Sequence, residues 1–438
     1  MNTNTNAINK RISSLDVLRG FAVGGILFAN ILWLSGYLLA PRSTQTSLLL
    51  THPMDEFFLF STRLFVHGKF YAMFSFLFGL GFSVQLLRAQ ATQKPEFIAQ
   101  YSRRLAILFL IGWAHAGLLW WGDILRFYAC LGALLLLLRN KSDRVLLATA
   151  LFALMAPVVL AIFYQLGLPH LNDALTVKFN KRQALASLAR GGWGLFFELN
   201  WQGIKHHALT NVENARVLKI FGLFVLGFYA GRRQFFHNTE MHKNLFRAVL
   251  IWGGTLGGLA SLIRVAQIYA VLPDFKSDAL QELLYLLSVY PLAFAYISGI
   301  TLACQHARTG QFLRTLTPVG QMALTNYLLQ TLLSALVFYW WGFGMAGSMP
   351  LRYCYTVALL IFVAQLALSH AWLHNFNYGP VEWLWRIGTR LKWTSLWRVR
   401  VEPLAASVRN ERVDRVFLRE IVATSVTTTF NACVARSF

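Results

Sequence analysis

Hydrophobic residues in this chain fall into long unbroken runs rather than alternating with polar ones, and many of the runs have the length that crosses a bilayer, about 17 to 25 residues. The runs predict helices near residues 15–39, 70–87, 105–121, 124–138, 145–168, 217–231, 246–272, 280–304, 322–343 and 353–373. A further run, 57–66, is interrupted by Arg63 and predicts a half-helix lying at the interface. The pattern predicts an all-α, polytopic integral membrane bundle of about ten transmembrane helices.

The positions between the runs set an orientation. Basic residues gather after every second run: Arg88, Lys94, Arg103 and Arg104; Arg139, Lys141 and Arg144; Arg232, Arg233, Lys243 and Arg247; Arg308 and Arg314; Arg386, Arg390 and Lys392. By the positive-inside rule these exits are cytoplasmic, with the N-terminus in and the C-terminus in. The opposite connectors, 122–123, 273–278 and 342–350, carry fewer cations. The exception is 169–216, with Lys178, Lys181, Arg182, Arg190 and Lys205. Its Trp193, Phe196, Phe197 and Trp201 suit an amphipathic helix in the interface. Gly20 with Gly24, Gly227 with Gly231, Gly253 with Gly257 and Gly254 with Gly258 are small-xxx-small pairs that allow close helix approach. Trp120, Trp121, Trp340, Trp341, Trp383 and Trp385 fall near run ends and predict interfacial anchors.

Composition agrees: 56% of residues are hydrophobic, 13% are charged, and the mean hydropathy is +0.49. The net charge of +22 sits mostly in connectors, so it reads as a topology signal and nucleic acid is not an expected partner. Cys130, Cys304, Cys354 and Cys433 form no CxxC pattern and imply no disulfide framework. The chain divides into a cytoplasmic leader (1–10), an N-terminal membrane region with the long connector (11–231), a C-terminal membrane region (232–397) and an atypical cytoplasmic tail (398–438) poor in aromatics.

Candidate chemistry lies where ionisable residues enter apolar runs. Asp16 and Arg19 share one helical face at the mouth of the first run, with Arg11 before them and Asn30 beyond. Arg19 is placed to meet a phosphate or carboxylate from the cytoplasm, or else simply pairs with Asp16. His115 lies about 15 Å in from Leu105 on an ideal helix, where an imidazole either accepts a proton from an attacking hydroxyl or joins helices. Asp123 follows about 12 Å further along that axis, out of direct reach of His115, and either caps the next helix or lines an outer vestibule. Arg63, His67, Lys69 and Tyr71 precede a glycine-bearing run and line an entrance or snorkel to the interface. Asn326 and Gln330, four apart, bind a polar ligand or link helices. Glu382 and Arg386 lie on a short amphipathic helix begun by Pro380 that predicts a cytoplasmic lid or brace. No Walker, GxSxG, HExxH or kinase pattern is present, His206 and His207 are adjacent, and no metal site is expected.

The string from Arg11 to Ala22, the Phe-Ser-Phe-Leu-Phe-Gly-Leu-Gly-Phe run ending at Phe82, Trp121-Gly122-Asp123-Ile124-Leu125, Thr325-Asn326-Tyr327 and the block 379–386 resemble the YeiB-like bacterial membrane proteins, domain of unknown function 418. At the first helix that family is similar to transmembrane acyltransferases of the acyltransferase-3 and heparan-glucosaminide acetyltransferase types. The resemblance implies a multi-pass protein of the bacterial inner membrane, with no tightly bound cofactor and acyl-CoA as co-substrate. The acyl group would pass to a hydroxyl or amine of a small-molecule, glycan or lipid acceptor on the outer side. Where acyltransferase-3 proteins carry a histidine downstream of the Leu-Arg-Gly arginine, this chain has Ala29 and Asn30, so His115 with Asp123 becomes the candidate catalytic pair. Arg19, Asp16, Asn30, Arg103, Arg104, Asn326 and Gln330 become the candidate substrate-binding set. A transporter that uses the same residues without covalent chemistry is the alternative.

Overall fold

The first apolar run folds as helix α1 (Ser13–Leu34), with Asp16 in its first turn, where a carboxylate favours the positive end of the helix dipole. This is a computed structural model of the chain, and it describes residues 13–168 and 179–398. The leader, Arg11, Lys178 and the tail beyond Arg398 lie outside the described residues. From α1 the chain passes through α2 (Pro53–Ser61) into α3 (Lys69–Ala91), then α4 (Phe97–Leu118), α5 (Leu125–Leu138) and α6 (Asp143–Gln165). Next come α7 (Lys181–Arg190), α8 (Trp193–Glu213), α9 (Arg216–Arg232), α10 (Lys243–Ile268) and α11 (Asp278–Ala303). Helices α12 (Ala323–Phe338), α13 (Leu351–Asn375) and α14 (Pro380–Arg390) complete the series. Among the described residues there is no β-strand.

Every one of the apolar windows contains a helix, but their lengths differ. Among the described residues, six helical runs are long and apolar enough to cross a membrane: α1, the joined run Pro53–Ala91, α6, α10, α11 and α13. Helices α8 and α9 together pass the same test as a pair bent by 66°, whereas α5 and α12 are shorter apolar helices. The long connector is therefore more structured than an interface helix alone: α8 buries Phe196, Leu199, Asn200 and Ile204 while leaving Trp193, Phe197 and Trp201 exposed.

Close backbone contact holds the bundle. A Cβ on Gly227 of α9 would collide with the carbonyl oxygen of Phe76, and one on Gly79 of α3 with that of Phe224, so both helices need glycine at their crossing. Gly253 and Gly257 of α10 meet the backbone of Pro291 and Leu292 in α11, while Gly258 faces open space and takes no part in the pairing expected for it. Trp120 and Trp121 are corrected from interfacial anchors to core residues, 5% and 8% exposed. They are buried because the chain reverses after Leu118, which carries Trp121 against Trp33 and Phe179.

Connectors from distant parts of the chain meet at two ends. At one, Asp143 pairs with Arg232 at 2.5 Å and Arg233 at 2.9 Å, and Arg103 donates to the Thr389 carbonyl at 3.1 Å. At the other, Ser277 donates to Gln165 at 3.1 Å and Gly347 N–H to the Ser35 carbonyl at 2.8 Å.

Candidate functional site

Helix α14 builds one wall of the site. Pro380 starts it, and Glu382 then accepts hydrogen bonds from the Leu324 and Thr325 amides at 2.8 and 3.0 Å and from the Thr325 hydroxyl at 2.5 Å. The carboxylate thus satisfies the free N–H groups at the start of α12. Burial raises its pKa above the ordinary 4.5, outweighing the downward pull of those bonds. Trp385, one turn on, donates to the Arg104 carbonyl at 2.7 Å, and its ring lies 3.7 Å from the Arg104 guanidinium carbon. The expected brace is present.

Three cavities adjoin through shared walls. The inner one, about 620 Å³, is bordered by six cationic side chains, Arg19, Arg88, Lys94, Arg104, Arg386 and Arg390, and by two acids, Asp16 and Glu382. Arg19 pairs with Asp16 at 3.1 Å yet keeps 33% of its side chain exposed, so pairing and ligand access coexist. The central cavity, about 400 Å³, shares Arg19, Arg104, Glu382 and Trp385 with the inner one, and Asn30, His67, Tyr71, Tyr128 and Tyr327 also line it. The outer cavity, about 440 Å³, shares His67, Arg216 and Tyr285 with the central one. Two central-cavity hydroxyls, Tyr71 and Tyr285, bond each other at 3.3 Å, and a third, Tyr128, bonds the buried Ser75 behind the wall at 2.7 Å.

The sequence-predicted residues divide accordingly. Arg19, Arg104 and Asn30 line the central cavity and Asp16 the inner one. Arg103 is turned to the Thr389 carbonyl and borders none of these cavities. Asn326 and Gln330 are 2% and 3% exposed and link helices: Asn326 donates to Ser369 at 3.0 Å, and Gln330 to the Val23 carbonyl at 3.2 Å and Gln365 at 3.0 Å.

The separation expected between His115 and Asp123 is corrected. Helix α4 ends at Leu118, and the returning chain brings Asp123 Oδ2 to 2.9 Å from His115 Nδ1. Its Oδ1 accepts from the Arg126 amide at 3.1 Å and so caps α5, with the Arg126 Nε 3.7 Å away. Both residues are buried, 3% and 0% exposed, and neither lines the central cavity. The His115 ring packs 5.2 Å from that of Tyr327, which does line it.

Arg216, Arg264 and Tyr285 border the outer cavity and were not among the sequence candidates. For Arg264 a signal exists: it is a cation deep inside the apolar run 246–272, whose other cation, Arg247, sits at the edge. His67 lies at a helix break, where Gly68 adopts φ 84° before α3 begins. Among the described residues no cluster of His, Cys, Asp and Glu is arranged to hold a metal ion.

Comparison with known proteins agrees with the blocks that frame the chain. The family profile "Protein of unknown function (DUF418)" matches residues 230–392. The chain is 32% identical over 410 residues to the uncharacterized protein YxaH of Bacillus subtilis (strain 168), covering 88% of this chain and 96% of that one. It is 27% identical over 401 residues to the uncharacterized protein YeiB of Escherichia coli (strain K12), covering 86% and 96%. No solved structure matches it. With its apolar helices and this near full-length similarity, the chain belongs to the YeiB-like membrane protein family of unknown function, DUF418.

Proposed function

We propose that this protein is an acyltransferase of the bacterial inner membrane that takes an acyl group from a cytoplasmic acyl-CoA and passes it to an acceptor from the outer side. The observation that carries the reading is the sharing of Arg19 and Arg104 between a cation-rich inner cavity and an aromatic central one. Pyrophosphate oxygens call for several charge-assisted N–H donors, which two guanidiniums supply, while a thioester and its chain call for an apolar chamber beyond them. The basic end of the bundle faces the cytoplasm in this reading, with both termini inside and about ten helical crossings in which the shorter α5 and α12 take part.

His67 is the histidine that borders the central cavity, so it replaces His115 as the proton acceptor. The acceptor oxygen or nitrogen forms a bond to the thioester carbonyl carbon as His67 takes its proton; the C–S bond then breaks, and the CoA thiolate leaves and recovers a proton from His67. Asn30 borders the same space and is a hydrogen-bond partner for the substrate carbonyl's surroundings. His115 and Asp123 act as positioning residues that hold the wall bearing Tyr327.

Calorimetry of detergent-purified protein with acetyl-CoA and longer acyl-CoAs tests the donor site. Saturable binding is expected, abolished in Arg19→Ala and at least tenfold weaker in Arg19→Lys, because an ammonium cannot make the bidentate contact. Unchanged affinity in both variants overturns the assignment. Absence of binding to every acyl-CoA favours a transporter that uses the adjoining cavities as a path.

A further inference from the structure

The helix break at His67 gathers positive charge, and among the described residues no ion pair neutralises its three central cations, Lys69, Arg216 and Arg264. Lys69, at the start of α3, is 2% exposed, and among the described residues its ammonium reaches only the Arg63 carbonyl, at 3.5 Å. Arg264 and His67 border both the outer cavity and a side chamber of about 160 Å³ that Arg63 and Lys69 also line. Arg264 lies 4.5 Å over the ring of Tyr285 and Arg216 4.7 Å over that of Tyr71. Among the described residues, Lys69, Arg216 and Arg264 form no ion pair with a carboxylate. Three carboxylates, Asp274, Asp278 and Glu282, line the outer cavity with Arg216 and Arg264, Glu282 held by Lys219 and Asp274 accepting from Gln281, but none of them borders the central cavity or the side chamber, where the cations stand without an acid beside them.

Unpaired cations inside an apolar bundle are costly and are retained where they meet an anion. Stacking on tyrosine faces fixes the two guanidinium planes and leaves their N–H edges for a ligand. We infer that the bend at His67 is an anion-binding site, held by Arg264, Arg216 and Lys69, that takes the phosphate or carboxylate of an anionic acceptor. The inference rests on the acyl-transfer reading only for the word acceptor; anion binding is measurable without it. An anion fixed there brings the acceptor's hydroxyl or amine beside His67, at the boundary of the central cavity.

The test uses the full-length protein in phosphatidylcholine nanodiscs, titrated calorimetrically with inorganic phosphate and with acetate. The Arg19→Ala background weakens anion binding at the inner cavity, Arg390→Gln reports any that remains there, and acyl-CoA binding to the parent protein is measured in parallel. Saturable binding of one of the anions is expected, weakened at least tenfold by Arg264→Gln and by Lys69→Met and unchanged by Arg390→Gln. Arg264→Gln carries the decision if the buried Lys69 variant fails to fold. Repeating the titration in discs containing phosphatidylglycerol separates two sources of the same chemistry. Competition by the lipid identifies a headgroup as ligand and its absence a soluble anion, and both support the site. No saturable anion binding, or binding indifferent to Arg264→Gln, overturns it even where acyl-CoA binding is intact. Anion binding without acyl-CoA binding retains the site and removes the donor reading instead.

Discussion

Asp123 illustrates how one side chain holds two elements. It caps α5 through the Arg126 amide and fixes His115 through its other oxygen, both in a buried site. Asp123→Ala removes a cap and strands a buried imidazole, an expected loss of about 3 kcal/mol. Thermal unfolding of the purified variant reads that loss, and acyl-CoA affinity should stay unchanged because the residue lies behind the cavity wall. A weakened affinity at unchanged melting temperature would contradict the structural role. Glu382 gives a pH test. Its pKa is raised in the folded protein by burial, so the folded state binds its proton more tightly than the unfolded state. Stability from this group is greatest at low pH and declines as pH rises from the ordinary 4.5 through the raised value, by at most about 1.4 kcal/mol per pH unit. Glu382→Gln should flatten the melting-temperature profile over that window; an unaltered slope assigns the dependence to other groups.

Among elements, the glycine pairs separate what spacing can and cannot say. Gly227 and Gly258 both belong to small-xxx-small pairs in the sequence, yet only Gly227 abuts a neighbouring backbone. Gly227→Ala should cost about 2 kcal/mol through overpacking against Phe76, whereas Gly258→Ala should be neutral or stabilise α10 by about 0.5 to 1 kcal/mol. Equal effects in denaturant-induced unfolding would remove the contact argument. The same limit explains which helices were legible. Apolar runs located the long helices other than α8 because hydropathy is local; α8 lies in the connector 169–216, where only its aromatic spacing marked it. The turn that unites His115 with Asp123 was not legible, because a separation along an ideal helix assumes that the helix continues past Leu118. Pro380, Glu382 and Arg386 marked the short helix expected as a lid or brace because start signal and charge spacing are local as well. Which helix the brace grips, through Leu324, Thr325 and Arg104, is a tertiary fact.

For the whole molecule, the cavities depend on residues far apart in sequence, so composition marked the cations but not their convergence. Arg19, Arg104 and Glu382 come from three helices and meet at one wall. Arg264 gives a weak sequence signal because one charge deep in an apolar run does not interrupt it. The gathering of connectors at two ends gives the orientation a direct test. Lys141 stands at the end where Asp143 meets Arg232 and Arg233, and Asp274 in the opposite connector; both are exposed. With the native cysteines replaced, a membrane-impermeant maleimide should label Asp274→Cys in intact cells and Lys141→Cys only after lysis. The reverse pattern would place the cation-rich cavity outside, where acyl-CoA is absent, and would remove the donor assignment with it. Labelling of both in intact cells would mean that the two ends share one side of the membrane, which the positive-inside argument forbids.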